Sequence, residues 1–176
     1  METNILENLG NIGDFVGGIG VIATLIYLAF QIRQNTTALK TASRQDVTNG
    51  FRDWNRLVID TKNMDAFTAG IRRYPNIPQA QMWTFSTMLN DQCHHLESAF
   101  ALFEAGTLDD ETYGTYLRFF CATVATPGGK AWWEEIGPMH VAPLVKEVNT
   151  LLLKGGFPNL LDSPVFAEQP TTDSAD

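Results

Sequence analysis

The sequence predicts an all-α protein in which one N-terminal transmembrane helix precedes a small cytoplasmic bundle of antiparallel helices. Three observations predict this fold class. Residues 15–32 form an apolar run without a charged side chain. Apolar residues in much of the remaining chain recur every three or four positions, which is typical of helices with one buried face. No segment alternates apolar and polar residues as a half-buried strand does, and there is no internal repeat.

Length and composition favour one domain with an anchor. A chain of 176 residues that is 44% hydrophobic and 18% charged is long enough for one core and too short for two. Two cysteines, Cys93 and Cys121, are too few for a disulfide framework, so we expect reduced, buried thiols. The predicted regions are a short extracytoplasmic N-terminus (1–10), the transmembrane helix with its interfacial ends (11–34), the cytoplasmic helical domain (35–160) and a flexible acidic tail (161–176).

The apolar run is long enough to nearly span a bilayer core. Its 18 uncharged residues make about 27 Å of helix at roughly 1.5 Å per residue. The N-terminus is acidic rather than basic, which argues against a cleaved signal peptide. The alternative is a buried central helix of a soluble bundle, but internal glycines would cost such a helix about 1 kcal/mol each relative to alanine.

Charge distribution predicts the orientation of this helix. Residues 1–32 contain no lysine or arginine, whereas Arg33, Lys40 and Arg44 follow the apolar run and form a predicted basic membrane interface. The positive-inside rule therefore places the large domain in the cytoplasm and the N-terminus outside, in a bacterial inner membrane. Residues 83–176 carry four basic and thirteen acidic side chains, so no basic stripe covers the fold and we expect no nucleic-acid partner.

Small residues recur along one face of the apolar helix. They are spaced alternately three and four positions apart, and Tyr27 continues the series. We call these residues the small-residue seam: Gly10, Gly13, Gly17, Gly20, Thr24 and Tyr27. In lipid, helices associate through close backbone contact that small residues permit. Glycine is also common in transmembrane helices generally, so the prediction rests on the regular spacing of all six seam residues. The seam predicts association with another copy or with another membrane protein.

Further helices follow in order. The transmembrane helix is expected to continue past residue 39, with an apolar stripe of Leu39, Val47, Phe51, Trp54, Leu57 and Val58. The next helices are a short one at 66–73 capped by Asp60 or Asn63, a strong one from Pro78 to Gly106, and one that begins at Asp109 or Asp110. "TPGG" is expected to stop the latter, before a short segment "KAWWEEIG" and a last helix over 140–154 closed by Gly155 and Gly156.

One group of residues is a candidate metal or acid–base site. Asp91, His94 and Glu97 are three residues apart in "NDQCHHLES" and share part of a helix face. The helical phase opposes this role, because His94 points nearly opposite to the inward residues and Glu97 points to the side. His140 is interpreted as a helix-start residue, and the Trp132–Trp133 pair as core rather than an interface anchor. We therefore predict no catalytic residue, no metal and no cofactor.

Three segments of the chain carry a resemblance to a known family. "GVIATLIYLAFQIRQNT", "FALFEAGTLDDETY" and "TPGGKAWWEE" resemble those of an uncharacterised bacterial family of single-pass, N-terminally membrane-anchored α-helical proteins. The resemblance covers roughly residues 10 to 150. It implies the anchor and the helical domain, and it supplies no activity.

The expected function is therefore that of a non-enzymatic bitopic membrane protein. Its partners would be the lipid bilayer and, through the seam, itself or another membrane protein, as a homo-oligomeric scaffold or an accessory subunit of a larger complex. One alternative is an oligomeric pore, which the few polar residues of the span disfavour. Another is a metal-dependent helical-bundle enzyme that uses His94 and Glu97.

Overall fold

The computed structural model describes residues 2–166, with side chains described from Phe15 onward. Most of these residues are helical and none forms a strand, which confirms the all-α prediction. The helices are α1 (Glu2–Ile59), α2 (Thr61–Arg73), α3 (Gln79–Glu104), α4 (Asp110–Val124), α5 (Pro127–Ile136) and α6 (Ala142–Lys154), with 3-10 helices at Gly137–Met139 and Leu160–Asp162.

The chain divides into two compact units, Met1–Ala42 and Ser43–Asp176, and α1 contributes to both. In the first unit every side chain from Phe15 to Ala42 is exposed. Among the described residues, one helix is long and apolar enough to cross a membrane. It lies near the N-terminus, and none of its most apolar 18-residue stretch is buried within the chain.

The last part of α1 supplies one wall of the second unit's core. Val47, Phe51, Trp54 and Val58 are buried, as the apolar stripe predicts. The Trp54 indole N–H donates to the carbonyl of Met88 at 2.8 Å, so this buried ring satisfies its polar atom on α3. Two stripe members are not core residues: Leu39 and Leu57 are exposed.

α3 follows α2 after a short connection, and the two helices pack together. Asp60 caps α2 by accepting the Lys62 N–H at 3.1 Å, so the helix begins at Thr61, five residues before the predicted start. α3 matches its prediction, with seven buried residues along one face. Gly106, just past its end, has a positive φ of 70°, a backbone conformation that favours glycine.

Asp109 begins α4 as one of the two predicted caps. Its carboxylate accepts the Thr112 backbone N–H at 2.8 Å and the Thr112 hydroxyl at 2.8 Å. These hydrogen bonds, and to a lesser degree the charge of Arg44, lower the pKa of Asp109. α4 then buries Tyr113, Leu117 and Phe120 on its inner face.

We expect Asp109→Ala to lower the free energy of unfolding by about 1 kcal/mol, because it leaves a helix N–H without its acceptor. Asp109→Asn should retain most of this stability, since asparagine caps nearly as well without the charge. The Asp109 contribution is present above the ordinary pKa of 3.8 and is lost as the pH falls through the lowered value. Equilibrium unfolding of the three chains at neutral and acidic pH measures both effects. Equal stability of the alanine and asparagine variants at neutral pH would contradict the cap.

The segment "TPGG" does end α4, but it also begins α5, which corrects the predicted turn and short segment. Thr126 caps α5 by accepting the Gly129 N–H at 3.1 Å, and Pro127 takes the first helical position. Gly128 faces α2 so closely that a Cβ there would lie 1.8 Å from the carbonyl oxygen of Gly70. These glycines therefore allow α5 to approach α2, and they do not break the helix.

α5 carries the tryptophan pair into the core, where Trp132 and Trp133 are buried as predicted. α6 begins at Ala142, two residues after its predicted start, and buries Leu144 and Val148. Gly155 and Gly156 follow it with positive φ.

Part of the predicted flexible tail packs against the helices. Leu161 and Phe166 pack on the core, and the ring of Phe166 lies 5.9 Å from that of Phe67. Arg72 also donates to the Phe166 carbonyl. The packed chain therefore extends to Phe166, and residues 167–176 lie outside the described part.

Candidate functional site

The small-residue seam lies on the exposed first unit of the chain. An added Cβ at Gly13, Gly17 or Gly20 would meet no atom within 4 Å, so this face is open. Further along, the Thr24 hydroxyl donates to the Gly20 carbonyl at 2.8 Å, and the Tyr27 hydroxyl accepts from the Gln31 amide at 2.9 Å. The seam position Gly10 falls in the part of α1 where only the backbone is described.

The three predicted interface cations are all exposed. Arg33 and Lys40 belong to the first unit, whereas Arg44 belongs to the second. Arg44 lines a small cavity with Glu111 and Thr112 of α4, and its charge acts on Asp109. Arg44 therefore has acidic neighbours within the helical unit.

The second unit contains a cluster of two histidines and one carboxylate, which we call the His–Glu–His cluster: His94, Glu97 and His140. Nδ1 of His94 lies 2.9 Å from Oε2 of Glu97, and Nδ1 of His140 lies 3.1 Å from Oε1 of the same carboxylate. One ligand atom from each of the three residues lies within 4.8 Å of the others. The arrangement brings two imidazoles and one carboxylate together in one place.

Different elements bring the cluster together. His94 and Glu97 are one turn apart on α3, whereas His140 follows the 3-10 helix that connects α5 to α6. The His140 ring is stacked on Trp133, with centroids 6.2 Å apart, so the buried tryptophan pair positions it. Burial decreases from His140 through Glu97 to His94, whose side chains are 3%, 18% and 61% exposed.

Asp91, the third residue of the predicted group, does not belong to the His–Glu–His cluster. Oδ2 of Asp91 lies 3.6 Å from Nε2 of His95, and the two form a separate pair on α3. Helical phase correctly indicates that His94 is exposed and that Glu97 lies to the side of the core-facing stripe. Phase does not indicate that His140 and Val141, which follow the 3-10 helix, contact that side of α3, so the sequence pattern assigns His140 only to a helix start.

Glu97 is held by three hydrogen-bonding partners. Besides the two histidines, the Val141 backbone N–H donates to Oε1 at 2.9 Å. Burial raises the pKa of Glu97, but these hydrogen bonds outweigh burial and the net effect lowers it. The carboxylate is therefore ionised at neutral pH and fixed in orientation.

The two cysteines do not add a nucleophile or a ligand to this site. Both are free and buried. Burial and, secondarily, the charge of Glu97 raise the pKa of Cys93, while burial and the charge of Glu147 raise that of Cys121 to about 12. Both thiols therefore stay protonated, and a thiol is a poor nucleophile and metal ligand compared with a thiolate.

Comparison of the chain with models of known protein families, with curated proteins and with solved structures gives no match.

Proposed function

We propose that the chain is a non-enzymatic bitopic membrane protein that associates through the small-residue seam. It would act as a homo-oligomeric scaffold or as an accessory subunit of a larger complex in a bacterial inner membrane. The observation that carries this proposal is the uninterrupted exposure of the apolar side chains between residues 15 and 32.

Exposure on this scale requires a covering medium. Eleven large apolar side chains in this stretch are 45% to 69% exposed, including Phe15, Leu25 and Phe30. Soluble monomers rarely expose contiguous apolar patches larger than a few hundred square ångströms. The rival interpretation, a buried helix of a soluble domain, requires burial that the chain itself does not provide. In the proposed arrangement, lipid covers the exposed apolar side chains and a second transmembrane helix covers the seam.

The remaining parts of the proposal concern the helical unit. We propose that residues 35–160 form an antiparallel bundle in the cytoplasm, with the short N-terminus outside. In support, the contacts between α2 and α3, α3 and α4, and α4 and α5 join helices that follow each other along the chain. The basic residues Arg33 and Lys40 directly after the apolar run support the orientation.

The polar atoms of the span weigh against the pore alternative. The Thr24 hydroxyl and the Tyr27 and Gln31 side chains already bond within α1, so few polar groups remain to line a wet path. Ion conductance in liposomes at the level of a channel would favour the pore instead.

Topology reporters test the membrane orientation. A fluorescent protein fused after residue 176 should be active, whereas an alkaline phosphatase at the same position should be inactive because it requires the periplasm. A separate variant tests the span itself. Val21→Arg with Leu25→Arg should reduce membrane retention of the protein, since each arginine costs roughly 3 kcal/mol at the centre of a span. An active phosphatase would contradict the orientation, and unchanged retention of the double variant would contradict the span.

A further inference from the structure

We propose that His94, Glu97 and His140 bind one divalent transition-metal ion of the zinc class. Two imidazoles and one carboxylate are ligands that zinc commonly takes in proteins, with water in the remaining position. This inference concerns the helical unit and is independent of membrane association.

The distances of the cluster suit such an ion. With bonds of about 2.1 Å, tetrahedral ligand atoms lie about 3.4 Å apart. Nδ1 of His94 lies 2.9 Å from Oε2 of Glu97, which is within about half an ångström of this value. Nδ1 of His140 lies 3.1 Å from the other carboxylate oxygen, Oε1. The widest separation within the cluster, up to 4.8 Å, must shorten when the ion binds. His94 can make this movement because its side chain is 61% exposed.

The carboxylate is already oriented for binding. The Val141 N–H holds Oε1 of Glu97, which leaves Oε2 beside His94 for the ion. A hydrogen bond to the second oxygen of a ligating carboxylate is a common way to fix its geometry. The same contact also ties α3 to the start of α6, so Glu97 serves the fold as well.

Two further observations indicate a ligand at this place. Nε2 of the buried His140 ring has no hydrogen-bond partner among the described residues, and a buried polar atom without a partner requires an explanation, of which a bound ion is one. The cluster also opens into a cavity of about 660 Å³ that Ser86, Asn90 and Met139 help to line. None of the residues lining that cavity is lysine or arginine, so this lining places no cationic side chain of that kind beside the Glu97 carboxylate. A bound metal ion would supply that cation and would keep an open position toward the cavity.

The experiment is a zinc titration of the full-length protein in detergent, freed of metal with a chelator and carrying no histidine tag. We expect one zinc ion per chain with micromolar or tighter affinity. His94→Ala and Glu97→Gln should each weaken binding at least tenfold. Cobalt should give the intense visible absorption of tetrahedral coordination in the wild type and should lose it in His94→Ala.

His95→Ala is the matched control, because His95 and Asp91 form a histidine–carboxylate pair on the same helix without a third ligand. It should leave zinc affinity unchanged. Since His94 is exposed, His94→Ala should unfold at the wild-type temperature without metal, whereas zinc should raise that temperature only in the wild type. Equal zinc affinity of the wild type and His94→Ala, or wild-type binding weaker than millimolar, would overturn the proposal and leave Glu97 with its role in the fold alone.

Discussion

Replacing Gly128 by alanine should destabilise the helical unit severely. The added Cβ would lie 1.8 Å from the Gly70 carbonyl oxygen and 2.9 Å from the Tyr74 nitrogen. Both are backbone atoms at the end of α2, so no side-chain rotation relieves the overlap, and α5 has to move away from α2. Overpacking of a core costs typically 1–3 kcal/mol, and we expect about 3 kcal/mol or more here because backbone must shift. That is a large share of the stability of a typical domain.

Gly114→Ala is the matched control for this prediction. Gly114 also lies inside a helix, but the nearest atom to its added Cβ is the flexible end of Arg118 at 3.3 Å. Alanine there should leave stability unchanged or raise it by up to about 1 kcal/mol, because alanine is the better helix former. Thermal unfolding followed by tryptophan fluorescence compares the two, since Trp132 and Trp133 on α5 are buried. Equal unfolding temperatures for the two variants would contradict the close approach of α5 to α2.

Adding bulk to the small-residue seam should prevent helix association. Leucine at Gly13, Gly17 and Gly20 together separates the backbones whose close contact we propose as the source of affinity. The triple variant should abolish the signal in a membrane two-hybrid assay. Gly17→Leu alone should weaken association at least tenfold, equivalent to about 1.4 kcal/mol.

Gly18 provides the control on the same helix. It is a neighbouring glycine outside the seam, and its added Cβ would also meet no atom within 4 Å. Gly18→Leu therefore adds equal bulk and equal hydrophobicity without altering the proposed contact face. An unchanged signal in the triple variant, or equal losses from Gly17→Leu and Gly18→Leu, would show that the seam is not the contact.

Local signals in the sequence predict much of the fold. Periodicity and residue type predict the extent of α3 and the cap Asp109, and both are confirmed. Leu57 was misassigned because a helical stripe does not indicate where the partner surface ends, and this residue lies at its margin with 42% exposure.

The larger differences arise where distant segments meet. The glycines of "TPGG" were interpreted as a stop signal, although Thr126 and Pro127 form a helix-start signal in the same four residues. Only the approach of α2 explains why the helix contains Gly128. Likewise, His140 reaches Glu97 across 43 residues of chain, and no short-range pattern could pair them. The sequence therefore predicts two of the three residues of the candidate site, His94 and Glu97 on one helix.

The proposed function requires that the chain lies in a membrane and associates through α1. The most direct test solubilises the full-length protein mildly from its native membranes and measures the mass and composition of the particle. The proposal predicts a particle that contains more protein than one 19.5 kDa chain. Additional copies would indicate a scaffold, and a different membrane protein would indicate an accessory subunit. Recovery in the soluble fraction, or as a single chain surrounded only by detergent, would contradict the proposal.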